Sequence, residues 1–175
     1  MTGCGAENKS ARSYYNATKA AAKNGDVDAR LCYIQSAFSD SEGNMQYSNE
    51  DVAQFKSDAP GYVADAIARG DWRIVYFLSL RLSPVFGLAP YIDGASSLET
   101  TYRMKSLLLL GADDNYGSTV KILRDSIPLG APAGQELTPA KLASADEWAK
   151  NTYQQYFAGT ARLTESPPVC GSEHQ

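Results

Sequence analysis

Three joints of one kind punctuate this chain, and they restrict it to a stack of helices. Ala22-Lys23-Asn24-Gly25-Asp26 and Ala66-Ile67-Ala68-Arg69-Gly70-Asp71 each close a helix-forming segment with a glycine and open the next with an aspartate. Gly111-Ala112-Asp113 is a looser third copy. A glycine reaches the left-handed backbone that ends a helix at little steric cost. An aspartate then accepts the free amides of the following first turn. Gly25, Gly70 and Gly111 lie 45 and 41 residues apart, a spacing that suits repeated helix pairs.

The segments between the joints carry helical periodicity. Ser10 to Asn24 is rich in Ala and Lys, both good helix formers. Val27, Leu31, Ile34 and Phe38 make one apolar helical face. Ser39 to Asn44 is a polar loop, after which Ser48 or Asn49 caps a helix with Asp51 in its first turn. Pro60 suits the first position of a further helix, with Asp58 as its cap. Trp72 to Leu82 is apolar on most sides, which predicts a central helix. Ser83 to Gly94 reads as an irregular, unusually apolar loop. Helices are predicted over Ser97 to Leu110, ending at Gly111, and over Tyr116 to Ser126, preceded by Asp113 or Asp114. Thr138-Pro139 starts a last helix that reaches Phe157. No period-two alternation is long enough for a sheet. The expectation is an all-α fold of about seven helices in stacked antiparallel pairs, either a short α-solenoid or a compact helical bundle.

The first joint, from Tyr15-Asn16-Ala17-Thr18-Lys19-Ala20-Ala21-Ala22 through Gly25-Asp26-Val27-Asp28-Ala29-Arg30-Leu31, resembles the Sel-one-like repeats, relatives of the tetratricopeptide repeats. Their hallmark is a helix ending Lys-Ala-Ala-x-x-Gly-Asp, followed by Ala and an apolar helix. The second copy keeps Ala66, Gly70 and Asp71 but lacks the following Ala, and the Leu-Gly-x-x-Tyr part is missing from all copies. The resemblance implies stacked helical hairpins, whose concave surfaces bind proteins or peptides. Gly-Asp joints also occur between unrelated antiparallel helices.

Met1-Thr2-Gly3-Cys4-Gly5 resembles the lipobox of bacterial lipoproteins, with Met1 where a Leu would stand. This implies lipidation of Cys4 and, because Gly5 rather than Asp follows, sorting to the outer membrane with the protein facing the periplasm. The alternative is a native start followed by an ordinary free cysteine. Residues 1–12 then read as lipobox remnant and polar tether, 13–160 as the helical domain, and 161–175 as a tail. In an oxidising periplasm Cys32, near one end, and Cys170, after Pro167 and Pro168, could join in a disulfide that ties the tail back. The alternative is a buried free Cys32 and a loose tail thiol.

Composition excludes several function classes. The net charge is −4 and no long Lys/Arg cluster occurs, which argues against nucleic acid and against electrostatic docking on lipid. Membrane contact is expected through the lipid anchor only. His174 is the only histidine and lies in the polar tail, so triads and common zinc sites are not expected. No cofactor, metal ligand or catalytic residue is assigned. The candidate partner-binding residues are Tyr14, Tyr15 and Tyr47, beside polar stretches; Phe86, Leu88 and Tyr91, in the apolar loop; and the acidic pair Asp113 and Asp114. Tyrosines of this kind also plug helix contacts, and the aspartates also serve as caps. The resulting expectation is a non-enzymatic periplasmic protein-binding lipoprotein. Its sharpest form is an immunity protein that neutralises a secreted antibacterial toxin. A pilotin-like or scaffold lipoprotein for an envelope assembly is the alternative, and a carboxylate-based envelope hydrolase the third.

Overall fold

A computed structural model describes residues 4–36, 47–80, 92, 97–132, 134–168 and 170, with side chains from residue 12 onward except at 36. The described chain is all-helical. Its α-helices are α1 (Cys4–Lys23), α2 (Val27–Ser36), α3 (Asn49–Ala68), α4 (Trp72–Ser79), α5 (Leu98–Gly111), α6 (Asp114–Asp125) and α7 (Pro139–Thr152). A 3-10 turn, Pro128–Gly130, follows α6, and a π-helical turn, Tyr153–Phe157, extends α7. The only pairing outside helices among the described residues is an isolated bridge between Ala112 and Leu163. The helices fall into two compact units. The first holds α1, α2, α3 up to Ala66, and Cys170; the second begins at Ile67 and holds α4 to α7 and the chain up to Pro168.

Most of the caps predicted from sequence form; Asp58 does not cap a helix, because it lies inside α3 and accepts from the Gln54 side chain instead. The Asp26 carboxylate accepts from the Ala29 amide, Asp71 from Arg73, Asp113 from Tyr116, and Thr138 from Lys141. Ser48 rather than Asn49 caps α3, in a reciprocal capping box. Asp51 N–H donates to the Ser48 hydroxyl (3.1 Å), and Ser48 N–H donates to the Asp51 carboxylate (3.0 Å). Gly25 and Gly70 adopt the left-handed backbone, with φ of 94° and 71°. Gly111 does not. It ends α5 in contact with the Trp72 indole, so close that a Cβ there would lie 2.3 Å from the ring. The third joint thus keeps its glycine for close packing rather than for backbone conformation.

Four expectations are corrected. The polar stretch up to residue 12 is not a tether in its backbone, because α1 starts at Cys4; Ala6, Glu7, Lys9 and Ala11 are helix-compatible, and neither Gly nor Pro occurs between Gly5 and Gly25. Pro60 does not start a helix but lies inside α3, where Phe55, Ala59 and Ala66 carry one buried stripe straight through it. Val27, placed on the core face of α2, is exposed, while Leu31 and Ile34 are buried and Tyr33 joins them. α4 is nearly all buried, but in the second unit the central helix is α5, which packs against α4, α6 and α7.

The first unit is organised around aromatic rings. Tyr33 lies 5.5 Å from Tyr15, 5.4 Å from Phe55 and 6.2 Å from Tyr62, centroid to centroid. Tyr47 meets Tyr15 edge-on at 5.5 Å. Burial, followed by the hydrogen bond to Tyr15, raises the Tyr33 phenol well above its ordinary value. Arg12 and Lys19 of α1 lie over the Tyr15 ring and both reach Asp51, at 2.6 and 3.5 Å. Arg30 lies 5.0 Å from the Tyr62 ring centre and pairs with Asp65 at 2.8 Å. Cys32 and Cys170 are disulfide-bonded, and the Cys170 amide donates to the Gln35 side-chain oxygen.

Asp51 makes this unit sensitive to acid. Burial disfavours its charge, but the hydrogen bonds from Arg12 and from the Ser48 amide and hydroxyl outweigh that and hold the carboxyl at about 2. The folded-state value lies below the unfolded value of 3.8, so the stabilisation is complete above that value and lost as pH falls toward about 2. We expect this group to contribute on the order of 2 kcal/mol. Urea titrations at about pH 5 and about pH 2.5 should show that loss in the wild type and a much smaller one in Asp51→Asn. Equal losses in the two proteins would contradict the assignment.

Candidate functional site

The described structure separates the expected contact residues. Tyr14 is 49% exposed on α1 and available to a partner. Tyr15, one position on, is 1% exposed and belongs to the core, so it is not a contact residue. The reason is helical geometry: successive residues point about 100° apart, and the face of α1 that carries Tyr15, Thr18 and Ala22 is the buried one. Tyr47 is partly buried against Tyr15. Asp113 is committed to capping α6, and Asp114 is exposed in that helix's first turn. Phe86, Leu88 and Tyr91 lie outside the described residues. Ile92, at the end of the same segment, is described and is buried.

Among the described residues, the most exposed large apolar side chains lie in α6 and in the turn after it. Ile122 and Leu123, in the last turns of α6, are 71% and 49% exposed, and Leu129, in the 3-10 turn just after, is 88% exposed. α6 turns Gly117 and Val120 inward, so Ile122 faces away from its core stripe, while Leu123, three residues after Val120, flanks it. The charges beside them are partly compensated: Lys121 and Arg124 share Asp125, at 2.5 and 2.7 Å. Exposed apolar side chains of this size suit protein contact. The sequence signal was present in the Ile122-Leu123 pair and in Leu129 between Pro128 and Gly130, but apolar residues in a short helix read first as core.

The second unit also contains a cavity of about 250 Å³ between α5, α6 and α7. Its wall includes Ser106, Leu109 and Leu110 of α5, Arg124 of α6, and Asp146 and Lys150 of α7. The Ser106 hydroxyl donates to one Asp146 oxygen at 2.7 Å and the Tyr102 hydroxyl to the other at 3.3 Å. Burial raises the Tyr102 phenol, partly offset by the Arg124 guanidinium 5.6 Å from its ring centre. The arrangement offers fixed polar groups for binding. The site is hidden in the sequence because Ser106 and Asp146 lie 40 residues apart. The spacing of Asp146 and Lys150, one helical turn apart, was the available signal.

Among the described residues no three His, Cys, Asp or Glu side chains gather as a metal site. No described helix is long and apolar enough to cross a membrane. The fold class is therefore all-α, with helices joined by capped turns. No family model, curated protein or solved structure matches the chain.

Proposed function

We propose that this chain is a non-enzymatic, protein-binding lipoprotein of the periplasm, anchored to the outer membrane through Cys4, and that it acts as an immunity protein against a secreted antibacterial toxin. The observation that carries the binding reading is the exposed apolar surface of Ile122, Leu123 and Leu129. Ile122 and Leu129 lie outside the core of their own unit, and Leu123 is half exposed between them in sequence. The compartment is supported separately by the Cys32–Cys170 disulfide, since structural disulfides persist in oxidising environments and are rare in the cytosol. Mechanistically, the apolar surface packs over the toxin's working cleft and excludes its substrate. Tyr14 and Asp114 lie on the exposed surface of their own units and remain candidate contacts.

Anchoring has its own test. In cells making the chain behind a complete lipoprotein signal, the wild type should fractionate with the outer membrane, and Cys4→Ser should appear in the soluble periplasmic fraction. Equal membrane association of the two proteins would remove the anchor from the proposal. Co-production with the cognate toxin should restore growth, and failure to protect would remove the immunity role.

A further inference from the structure

The geometry points to a second binding site in the cavity between α5, α6 and α7, one that takes a free α-amino acid. It stands independently of the proposed protein partner. Asp146 and Lys150 are one turn apart on α7, acid before base, the spacing and order that ordinarily favour an ion pair along a helix. They do not form one. Among the described residues Asp146 meets only the hydroxyls of Ser106 and Tyr102, and Lys150 meets no carboxylate. Both line the same cavity instead.

A carboxylate that accepts one neutral hydroxyl on each oxygen keeps lone pairs for a further donor. An ammonium group supplies that donor together with the missing charge. On the other wall, Asp125 holds Nε and Nη2 of Arg124, which leaves Nη1 for another acceptor. Arg124 and Lys150 together suit a carboxylate. Leu109 and Leu110 complete the lining with apolar surface for a side chain. The cavity of about 250 Å³ is smaller than the usual site for a drug-sized molecule and fits a single amino acid. One positive and one negative group on one small molecule satisfies both walls, whereas a simple amine or a simple acid leaves one wall uncompensated.

The test uses the full chain and NMR titration with glycine, leucine and tryptophan, followed by isoamylamine and isocaproate, which are leucine without its carboxylate and without its amine. At least one amino acid should shift the amide resonances of Ser106, Asp146 and Lys150. Isoamylamine and isocaproate should each bind about tenfold or more weaker than leucine. Asp146→Asn keeps an acceptor for Ser106 and should weaken amino-acid binding by about tenfold with an unchanged melting temperature. If that variant does not fold, Lys150→Gln, at an exposed position, should produce a comparable loss. Absence of binding by all three amino acids at millimolar concentration would overturn the proposal. So would equal binding of leucine and isocaproate, or resonance shifts confined to other parts of the chain.

Discussion

Replacing Trp72 with alanine should destabilise the second unit by about 3 to 5 kcal/mol, the range for removing a large aromatic side chain from a core. Trp72 is held on every side. Its indole lies 4.3 Å from the Phe157 ring and 6.4 Å from Tyr153, its N–H donates to the Thr160 hydroxyl at 2.9 Å, and its ring edge fills the space over Gly111. Gly111→Ala should cost about 1 to 3 kcal/mol by overpacking, because the added methyl would have to displace the indole. The two changes should be strongly coupled. In a Trp72→Ala background, Gly111→Ala should be nearly neutral or slightly stabilising, since alanine is the better helix former. Urea unfolding followed by circular dichroism across the four proteins measures the coupling. Additive effects would show that Gly111 serves backbone conformation after all, as its sequence context suggests.

The second large effect is expected from the disulfide. Cys32 and Cys170 are 138 residues apart, and closing a loop of that length restricts the unfolded chain by about 4 to 5 kcal/mol in the chain-entropy account, with smaller values common in practice. A reducing agent should therefore lower the unfolding midpoint of the wild type substantially. Cys32→Ser should unfold at that lower midpoint with or without reductant. Reduction also weakens the attachment of Cys170, leaving the hydrogen bond from its backbone N–H to the Gln35 side-chain oxygen to hold that residue against α2. Identical midpoints under oxidising and reducing conditions would mean that the crosslink adds nothing the helices do not already supply.

Much of this fold was legible because its signals are local. A Gly-Asp joint specifies a helix end and a helix start within two residues, and Asp26, Asp71, Asp113 and Thr138 perform the capping that their positions predict. The errors arose where a local signal met a tertiary one. Pro60 is a strong breaker in isolation, yet burial of Phe55, Ala59 and Ala66 along one stripe keeps α3 continuous through it. Gly111 resembles Gly25 and Gly70 in sequence, but its requirement comes from Trp72, far earlier in the chain. The tyrosines carried the same ambiguity. Tyr14 and Tyr15 are neighbours of one type, and only the rotation of α1 against α2 places one in solvent and the other in the core. The candidate surface was the least legible part. Ile122, Leu123 and Leu129 are ordinary core residues by type, and their exposure depends on which face of α6 the second unit covers.

That surface is also where the functional account is most exposed to test. The measurement is isolation of the full chain from the cells that make it, together with the products of neighbouring genes, in parallel with an Ile122→Ser/Leu129→Ser variant. The account predicts a stoichiometric complex with one envelope-acting toxin for the wild type. It predicts loss of that complex by about a hundredfold or more in the double variant, as expected when interface anchors are truncated. Both positions are exposed, so the variant should keep the wild-type melting temperature. A complex equally stable with the double variant, or no stoichiometric complex at all, would contradict the claim that this helical protein works through that apolar surface.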